Sequence, residues 1–174
     1  MSDASSQDVM QVTIVAAGRS GGAWITHGNE YVQWPGTTDN SVYWFVVFSR
    51  ADMSIVANVA SNSSSAVPPE IAKYAGDNGY ILILVTNNLA YSKLPTGDLA
   101  TFIAANGGGT RLTAAEQVAE HAGSAAGGWF VYGLLAILGE PQPGIEDYSL
   151  SHSVVLAASV RQFGGLWTPV NAPA

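Results

Sequence analysis

The chain has 174 residues, a length typical of one domain, and it has no cysteine, which excludes disulfides, thiol catalysis and cysteine-ligated zinc. Its net charge is −7 and its six basic residues are scattered, so no basic stripe is available for nucleic acid or an anionic membrane. Only 11% of the residues are charged, against about 25% in an ordinary soluble domain. A surface made largely of Gly, Ala, Ser, Thr and Asn favours self-association or contact with other subunits.

The first 60 residues predict strands joined by short turns. Alternation of polar and apolar residues indicates the first strand, and the Gly28-Asn29 turn indicates a hairpin around it. A later run is too apolar to have a wet face, and its hairpin partner follows after Arg50-Ala51-Asp52. The predicted strands are 9–16, 23–27, 30–34, 42–49 and 53–60.

The middle of the chain is organised around the apolar run 78–86. This run is bounded by Asp77-Asn78-Gly79 and Asn87-Asn88, and its β-branched content predicts a central strand buried on both faces. Helices are predicted on its flanks at 69–76, opened by proline, and at 97–105, ended by three glycines. A capping box from Thr113 to Glu116 predicts a third helix that continues to about residue 121.

The last part of the chain returns to strands. They are predicted at 129–138, 151–160 and 163–168, with a Gly-Pro loop at 139–144. The whole pattern predicts an α+β fold, a β-rich mixed sandwich of antiparallel hairpins with two or three helices packed on the sheets. It is predicted as a single domain over 1–174, with 1–8 and 169–174 as terminal arms.

Targeting signals and membrane spans are not expected. The first ten residues are polar and acidic, unlike a signal peptide, and no apolar run approaches 18 residues. These features predict synthesis in the cytoplasm and no membrane insertion. A virion or an extracellular assembly is the favoured final location.

Candidate catalytic groups have weak support. The segment 18–22 matches the Gly-x-Ser-x-Gly pattern around Ser20, but that chemistry needs a helix after the turn and a strand is predicted there. A hairpin turn is therefore favoured, and a serine hydrolase is the lesser alternative. Ser151 and His152 are adjacent on a predicted strand and so point to opposite faces.

Metal and phosphate sites are not predicted either. His27, His121 and His152 lack ligand spacing, and the acidic residues from Glu140 to Asp147 are poorly spaced for calcium. The glycines at 107–109 follow a helix, whereas a phosphate loop opens one. We therefore expect no catalytic residue, no metal and no cofactor.

Aromatic residues leave one alternative open. The five tryptophans lie in or beside predicted strands and are expected in the core or at an interface. An exposed aromatic ring can also stack on a sugar, and Tyr31, Trp34 and Tyr91 are the candidates for such a platform.

Several stretches occur in an order typical of one known family. They are the strand 11–17, Arg19-Ser20 after it, the hairpins 24–32 and 43–57, the helix–strand–helix run 73–108, the Gly-Trp-Phe-Val-Tyr-Gly strand 128–133, and Pro143-Gly144-Ile145-Glu146. From Gln11 to Leu150, about four fifths of the chain, this order resembles the interleukin-like EMT inducer (PANDER-like) domain.

The resemblance implies a non-enzymatic β-rich fold, which serves secreted signalling proteins or the carbohydrate-binding stem domain of a glycosyltransferase. Secreted animal members carry disulfide cysteines that this chain lacks. Charged residues of the family pattern are replaced at 59–61, at 87–88 and at 124–127, and Arg19 alone matches. The candidate ligand-binding residues are Arg19, Asn87, Asn88 and Tyr91, expected near one rim.

Two functions follow as hypotheses. The first is a non-catalytic binding or structural module in a larger assembly, such as a phage tail, a virion or a bacterial surface particle. The second is a carbohydrate-binding domain, with a glycan as partner.

Overall fold

The computed structural model describes residues 9–18, 22–36, 41–122, 128–140, 143–150 and 152–171. These residues are mostly antiparallel β-sheet with three short helices, which confirms a β-rich α+β fold. The strands are β1 Val9–Ala16, β2 Trp24–His27, β3 Glu30–Tyr31, β4 Val42–Ser49, β5 Ile55–Ser61, β6 Tyr80–Asn87, β7 Leu89–Ala90, β8 Trp129–Ile137, β9 Ile145–Ser149, β10 Val154–Phe163 and β11 Leu166–Asn171. The helices are α1 Pro69–Ala72, α2 Gly97–Ala105 and α3 Thr110–Ala122, with a 3-10 turn at Tyr91–Lys93.

The strands form two sheets. Sheet A has the order β11-β10-β1-β2-β3, and sheet B has the order β5-β4-β6-β8-β7, with β9 also paired to β8. In sheet A the first strand pairs with a strand near the end of the chain, from Val9 with Arg161 to Ala16 with Val154. In sheet B, β6 lies between β4 and β8, which is the central position that its apolar sequence predicts.

Sheet B is buried on both faces by different partners. Trp44, Val46 and Phe48 of β4 belong to a core cluster that also contains sheet A residues such as Ile14. The intervening Tyr43, Phe45 and Val47 belong to a second cluster with α2 residues such as Leu99. Because successive strand residues point to opposite faces, a continuous apolar run satisfies both clusters, as predicted for 78–86.

Sheet A buries one face and exposes the other. In β10, Val154, Leu156 and Ala158 are buried, whereas Val155 and Ala157 between them are exposed. No helix in the described part of the chain is long and apolar enough to cross a membrane.

Arg50 joins the two sheets at one end of the molecule. Its side chain is 6% exposed, and its Nε donates to the carbonyl of Trp167 in β11 at 2.7 Å. Nη1 donates to the carbonyl of Asn78, before β6, at 2.7 Å, and Nη2 to Oγ1 of Thr168 at 2.9 Å. Glu140 Oε1 lies 3.6 Å from Nη1. The buried guanidinium thus satisfies backbone groups of both sheets.

Several predicted boundaries are wrong. The strand predicted at 30–34 ends at Tyr31, and the helix predicted at 69–76 ends at Ala72. Helix α3 begins at Thr110, so Thr113 lies inside its first turn and is not a capping residue. The short strand β9 was not predicted at all.

The C-terminal hairpin also differs from the prediction. Gly164 and Gly165 both have positive φ, 57° and 84°, which is the backbone of a two-residue hairpin turn. This turn ends β10 at Phe163 and starts β11 at Leu166, so 169–171 is strand and not a terminal arm. Residues 1–8 and 172–174, also predicted as arms, lie outside the described residues.

Candidate functional site

The predicted ligand-binding residues 87 and 88 lie at an irregularity in sheet B. Strand β6 pairs with β8 as far as Val85 with Gly133, and β7 resumes the pairing at Leu89 with Phe130. The first strand therefore contains one residue more than its partner between these pairs, which is a β-bulge. Asn88 has φ +52°, a left-handed conformation that asparagine tolerates better than most residues.

The hydroxyl of Thr86 repairs the hydrogen bonding beside the bulge. It is fully buried, accepts the N–H of Tyr132 at 2.8 Å and donates to the carbonyl of Phe130 at 3.1 Å. Backbone groups that lose their ladder partners at a bulge need another partner when they are buried. A threonine at this position supplies both a donor and an acceptor.

Asn87 and Asn88 also hold the connection between β1 and β2. Oδ1 of Asn87, a buried residue, accepts the N–H of Ala23 at 3.2 Å. The backbone N–H of Asn88 donates to the carbonyl of Ala17 at 2.9 Å, next to an isolated parallel bridge between Ala17 and Asn87. Both described ends of this connection therefore contact the bulge, whereas Arg19 itself lies outside the described residues.

Two buried polar atoms near the bulge have no hydrogen-bond partner. They are Oδ1 of Asn88 and the hydroxyl of Tyr91, which begins the 3-10 turn. The backbone N–H of Tyr91 donates to the carbonyl of Gly128 at 3.1 Å, which fixes the residue's backbone. Buried polar groups are almost always paired, so an unpaired acceptor and an unpaired hydroxyl three residues apart mark a place for a polar ligand.

Gly18 places an aromatic residue beside this connection. A Cβ atom on Gly18 would lie 2.7 Å from Cβ of Trp129, so only glycine allows this approach. Trp129 is half-buried and packs against the core cluster between the sheets. Of the predicted sugar platforms, Tyr31 is exposed in β3, whereas Trp34 packs edge-on against Trp44 with ring centroids 4.8 Å apart.

The acidic residues beside β9 serve a different purpose. Glu146 Oε2 accepts the N–H of Gly109 at 3.0 Å and the hydroxyl of Tyr132 at 2.6 Å, and Oε1 accepts the N–H of Arg111 at 2.9 Å. The carboxylate thus caps the N-terminus of α3. Burial, with the adjacent Glu146 charge, raises the pKa of Tyr132 well above its usual value.

This cap also settles the role of the three glycines 107–109. They join α2 to α3, and the anion at the start of α3 is a carboxylate of the chain itself. Within the described ranges, no group of three or more His, Cys, Asp or Glu residues could hold a metal ion.

The predicted catalytic candidates are not brought together. His27 lies 4.0 Å from the carboxylate of Glu30 and stacks edge-on against Phe48, whereas Nδ1 of His121 pairs with the carbonyl of Gln117 in α3. Ser20 and Ser151 lie outside the described residues.

Comparison with protein-family models gives no match, and comparison with curated proteins gives none either. The resemblance to the interleukin-like EMT inducer domain therefore remains a prediction. Sequence reasoning placed Asn87, Asn88 and Tyr91 together correctly, and it missed Thr86 and Glu146. For Glu146 the only signal was a carboxylate shortly after a Gly-Pro loop.

Proposed function

We propose that this chain is a non-catalytic module that joins a larger assembly through the exposed face of sheet A. The assembly is of the kind found in a phage tail, a virion or a bacterial surface particle. The observation that carries the proposal is the apolar character of this face, which is set out in the next two paragraphs.

The exposed face of sheet A concentrates apolar side chains. Six of the nine large hydrophobic residues exposed in the described part of the chain belong to its strands; they are Val9, Trp24, Tyr31, Val155, Phe163 and Leu166. Val15 pairs with both Val155 and Trp24, so an apolar row crosses three strands. Val155 is 62% exposed and Trp24 is 44% exposed, although both lie in regular strands. Contiguous exposed apolar surface of this kind marks interaction sites.

Charge does not protect this face. Across the five strands of sheet A, the acidic and basic residues are Glu30 and Arg161. Arg161 lies on the exposed face beside Val9, and Glu30 lies at the end of the sheet in β3. A soluble monomer normally intersperses charges of both signs over such a surface. Their scarcity here favours a covered face.

The side chains that could do chemistry are used in structural contacts. Thr86, Asn87 and Glu146 satisfy backbone donors, and Arg50 satisfies backbone acceptors of both sheets. This use supports a binding module over an enzyme. The same proposal includes the mixed sandwich as the finer description of the fold, since one core cluster contains residues of both sheets.

Light scattering coupled to gel filtration tests the proposal. The purified protein should have a mass that is a multiple of 18.1 kDa and that rises with concentration. Val155→Lys should shift the distribution towards the monomer, because a charge then lies in the centre of the apolar row. Val118→Lys on α3 is the matched control, because Val118 is 46% exposed outside sheet A, and it should leave the mass unchanged. A strict monomer at high concentration would overturn the proposal.

A second candidate function, carbohydrate binding, is favoured by the unpaired atoms of Asn88 and Tyr91. Sugar hydroxyls both donate and accept, which suits a free carbonyl oxygen next to a free phenol. A glycan array followed by NMR titration of a hit tests this function. Tyr91→Phe should abolish the chemical-shift changes, whereas Tyr148→Phe in β9 should not. A flat array with no shift changes on titration counts against carbohydrate binding.

A further inference from the structure

The edge strands of the two sheets differ in how they are protected. Strand β3 has two residues and contains Glu30, β11 contains Pro169, and β9 contains Glu146 and Asp147. Short length, proline and charge are the usual devices that stop an edge from pairing with another chain. Strand β5 has seven residues, Ile55–Ser61, with neither charge nor proline. A bulge opposite Val47 and Phe48 interrupts only its beginning.

The outer edge of β5 is open. The strand pairs on one side with β4, from Tyr43 with Ser61 to Phe48 with Ile55. On the other side, the one hydrogen bond to its backbone from the described residues is donated by the hydroxyl of Tyr74 to the carbonyl of Val56 at 3.2 Å. The remaining outward N–H and C=O groups are available to an added strand.

Opposite charges lie at the two ends of this edge. At the C-terminal end, Glu70 lines a groove of about 370 Å³ together with Val59 and Ser61. At the N-terminal end, Tyr74 contacts Val56, and Nζ of Lys73 lies 4.9 Å from the ring centroid of Tyr74. Glu70 and Lys73 are exposed, and neither forms an ion pair with another described residue.

We propose that two copies of this chain pair antiparallel through β5 around a two-fold axis at Asn58, which rests on the proposed function as an assembly module. This register pairs Ala57 of each copy with Val59 of the other. It also reverses the charged ends, so that Lys73 of each copy faces Glu70 of the other, twice in one interface. A two-fold interface requires such self-complementarity. A second copy matches the order of charges along this edge, as well as the open backbone.

Sedimentation velocity over a range of concentrations tests the pairing with charge reversals. Glu70→Lys opposes two lysines at each contact, and Lys73→Glu opposes two glutamates, so each variant should raise the dimer dissociation constant about tenfold or more. The double variant E70K/K73E should dimerise like the original chain. An equimolar mixture of the two single variants should form a heterodimer, because all four charges then oppose one another with opposite sign.

Matched controls separate this interface from net charge and from the sheet A face. Glu120→Lys on α3 and Lys93→Glu on the 3-10 turn change the charge by the same amount at exposed positions elsewhere, and they should leave the dissociation constant unchanged. In hydrogen exchange, the amides of 57–61 should lose protection on dilution. Absence of rescue in the mixture overturns the β5 interface. If association is then sensitive to Val155→Lys, the proposed function stands without it, whereas a monomer at all concentrations overturns both.

Discussion

Sheets A and B contain equally apolar strands but use them differently. In β6 the consecutive residues Ile81 to Val85 are all fully buried, because core clusters lie on both faces of sheet B. In β10 the buried Val154 is followed by the exposed Val155, because nothing among the described residues covers that face of sheet A. The apolar residues of sheet B are explained by the fold. The exposed ones of sheet A are not, and they therefore point to a partner.

Leu84→Ala should give the largest loss of stability, because it tests the doubly buried sheet directly. Leu84 is fully buried in the cluster that sheet B forms with the helices. Removing a buried leucine side chain leaves a cavity and should lower the free energy of unfolding by about 3 to 4 kcal/mol. Urea denaturation measures the loss. A loss below about 1 kcal/mol would contradict close packing between sheet B and the helices.

Arg50→Met should break the connection between the sheets. The substitution leaves the carbonyls of Asn78 and Trp167 without their buried donor, and the free energy of unfolding should fall by about 3 kcal/mol. Hydrogen exchange should show faster exchange in β11 than in β6. Equal acceleration in both strands would argue against a local link between β11 and sheet B.

Glu146→Ala should weaken the helical layer that covers sheet B. It removes the cap of α3 and leaves the buried hydroxyl of Tyr132 unpaired, at a cost of about 2 kcal/mol. Asp147→Ala on the same strand is a matched control, because the Asp147 side chain bonds its own neighbour Tyr148. Thermal denaturation of the two variants should give a clearly lower Tm for Glu146→Ala. Equal Tm values would remove Glu146 as the cap.

Alkaline pH should report the burial of Tyr132. Burial first, and the Glu146 charge second, raise its pKa in the folded state above the unfolded value of about 10. The folded chain therefore retains a proton that the unfolded chain loses, so stability is full below pH 10 and falls above it. Each such tyrosine contributes about 1.4 kcal/mol per pH unit. Tyr132→Phe should reduce this slope, while below pH 9 its difference from the original chain stays constant.

Val155→Ala should have the smallest effect on stability, about 0.5 kcal/mol or less, because the side chain is exposed in the monomer. Chemical denaturation at a concentration where the monomer predominates measures it. The same substitution should reduce association in light scattering. A large loss of stability without any change in association would show that this residue serves the fold alone.

Much of the fold could be predicted because local patterns decide it. Val9–Ala16 and Val42–Ser49 match the predicted strands at both ends, since alternation and apolar runs bounded by turn residues identify strands. The start of α3 could not be predicted, because its cap is Glu146, about 35 positions later in the chain. A cap that arrives from another element leaves no signal in the local sequence.

The candidate site could be predicted only in part. Asn87, Asn88 and Tyr91 are close in sequence, so their proximity required no knowledge of the fold. Their roles did require it, because Asn87 is paired with Ala23 whereas Oδ1 of Asn88 is unpaired, although the two residues are chemically identical. The difference arises from the bulge, which depends on the register between β6 and β8.

The pairing of β1 with β10 determines the order in which the chain can fold. Gln11 and Ser159, which are hydrogen-bonded across these strands, are 148 positions apart, whereas Trp44 and Asn58 in the β4–β5 hairpin are 14 apart. Local pairs close quickly and distant ones slowly. During synthesis on the ribosome, β4 and β5 can pair long before β10 has emerged. The first strand made is then among the last to find its neighbour, and its apolar side chains stay open to chaperones and to aggregation for most of translation.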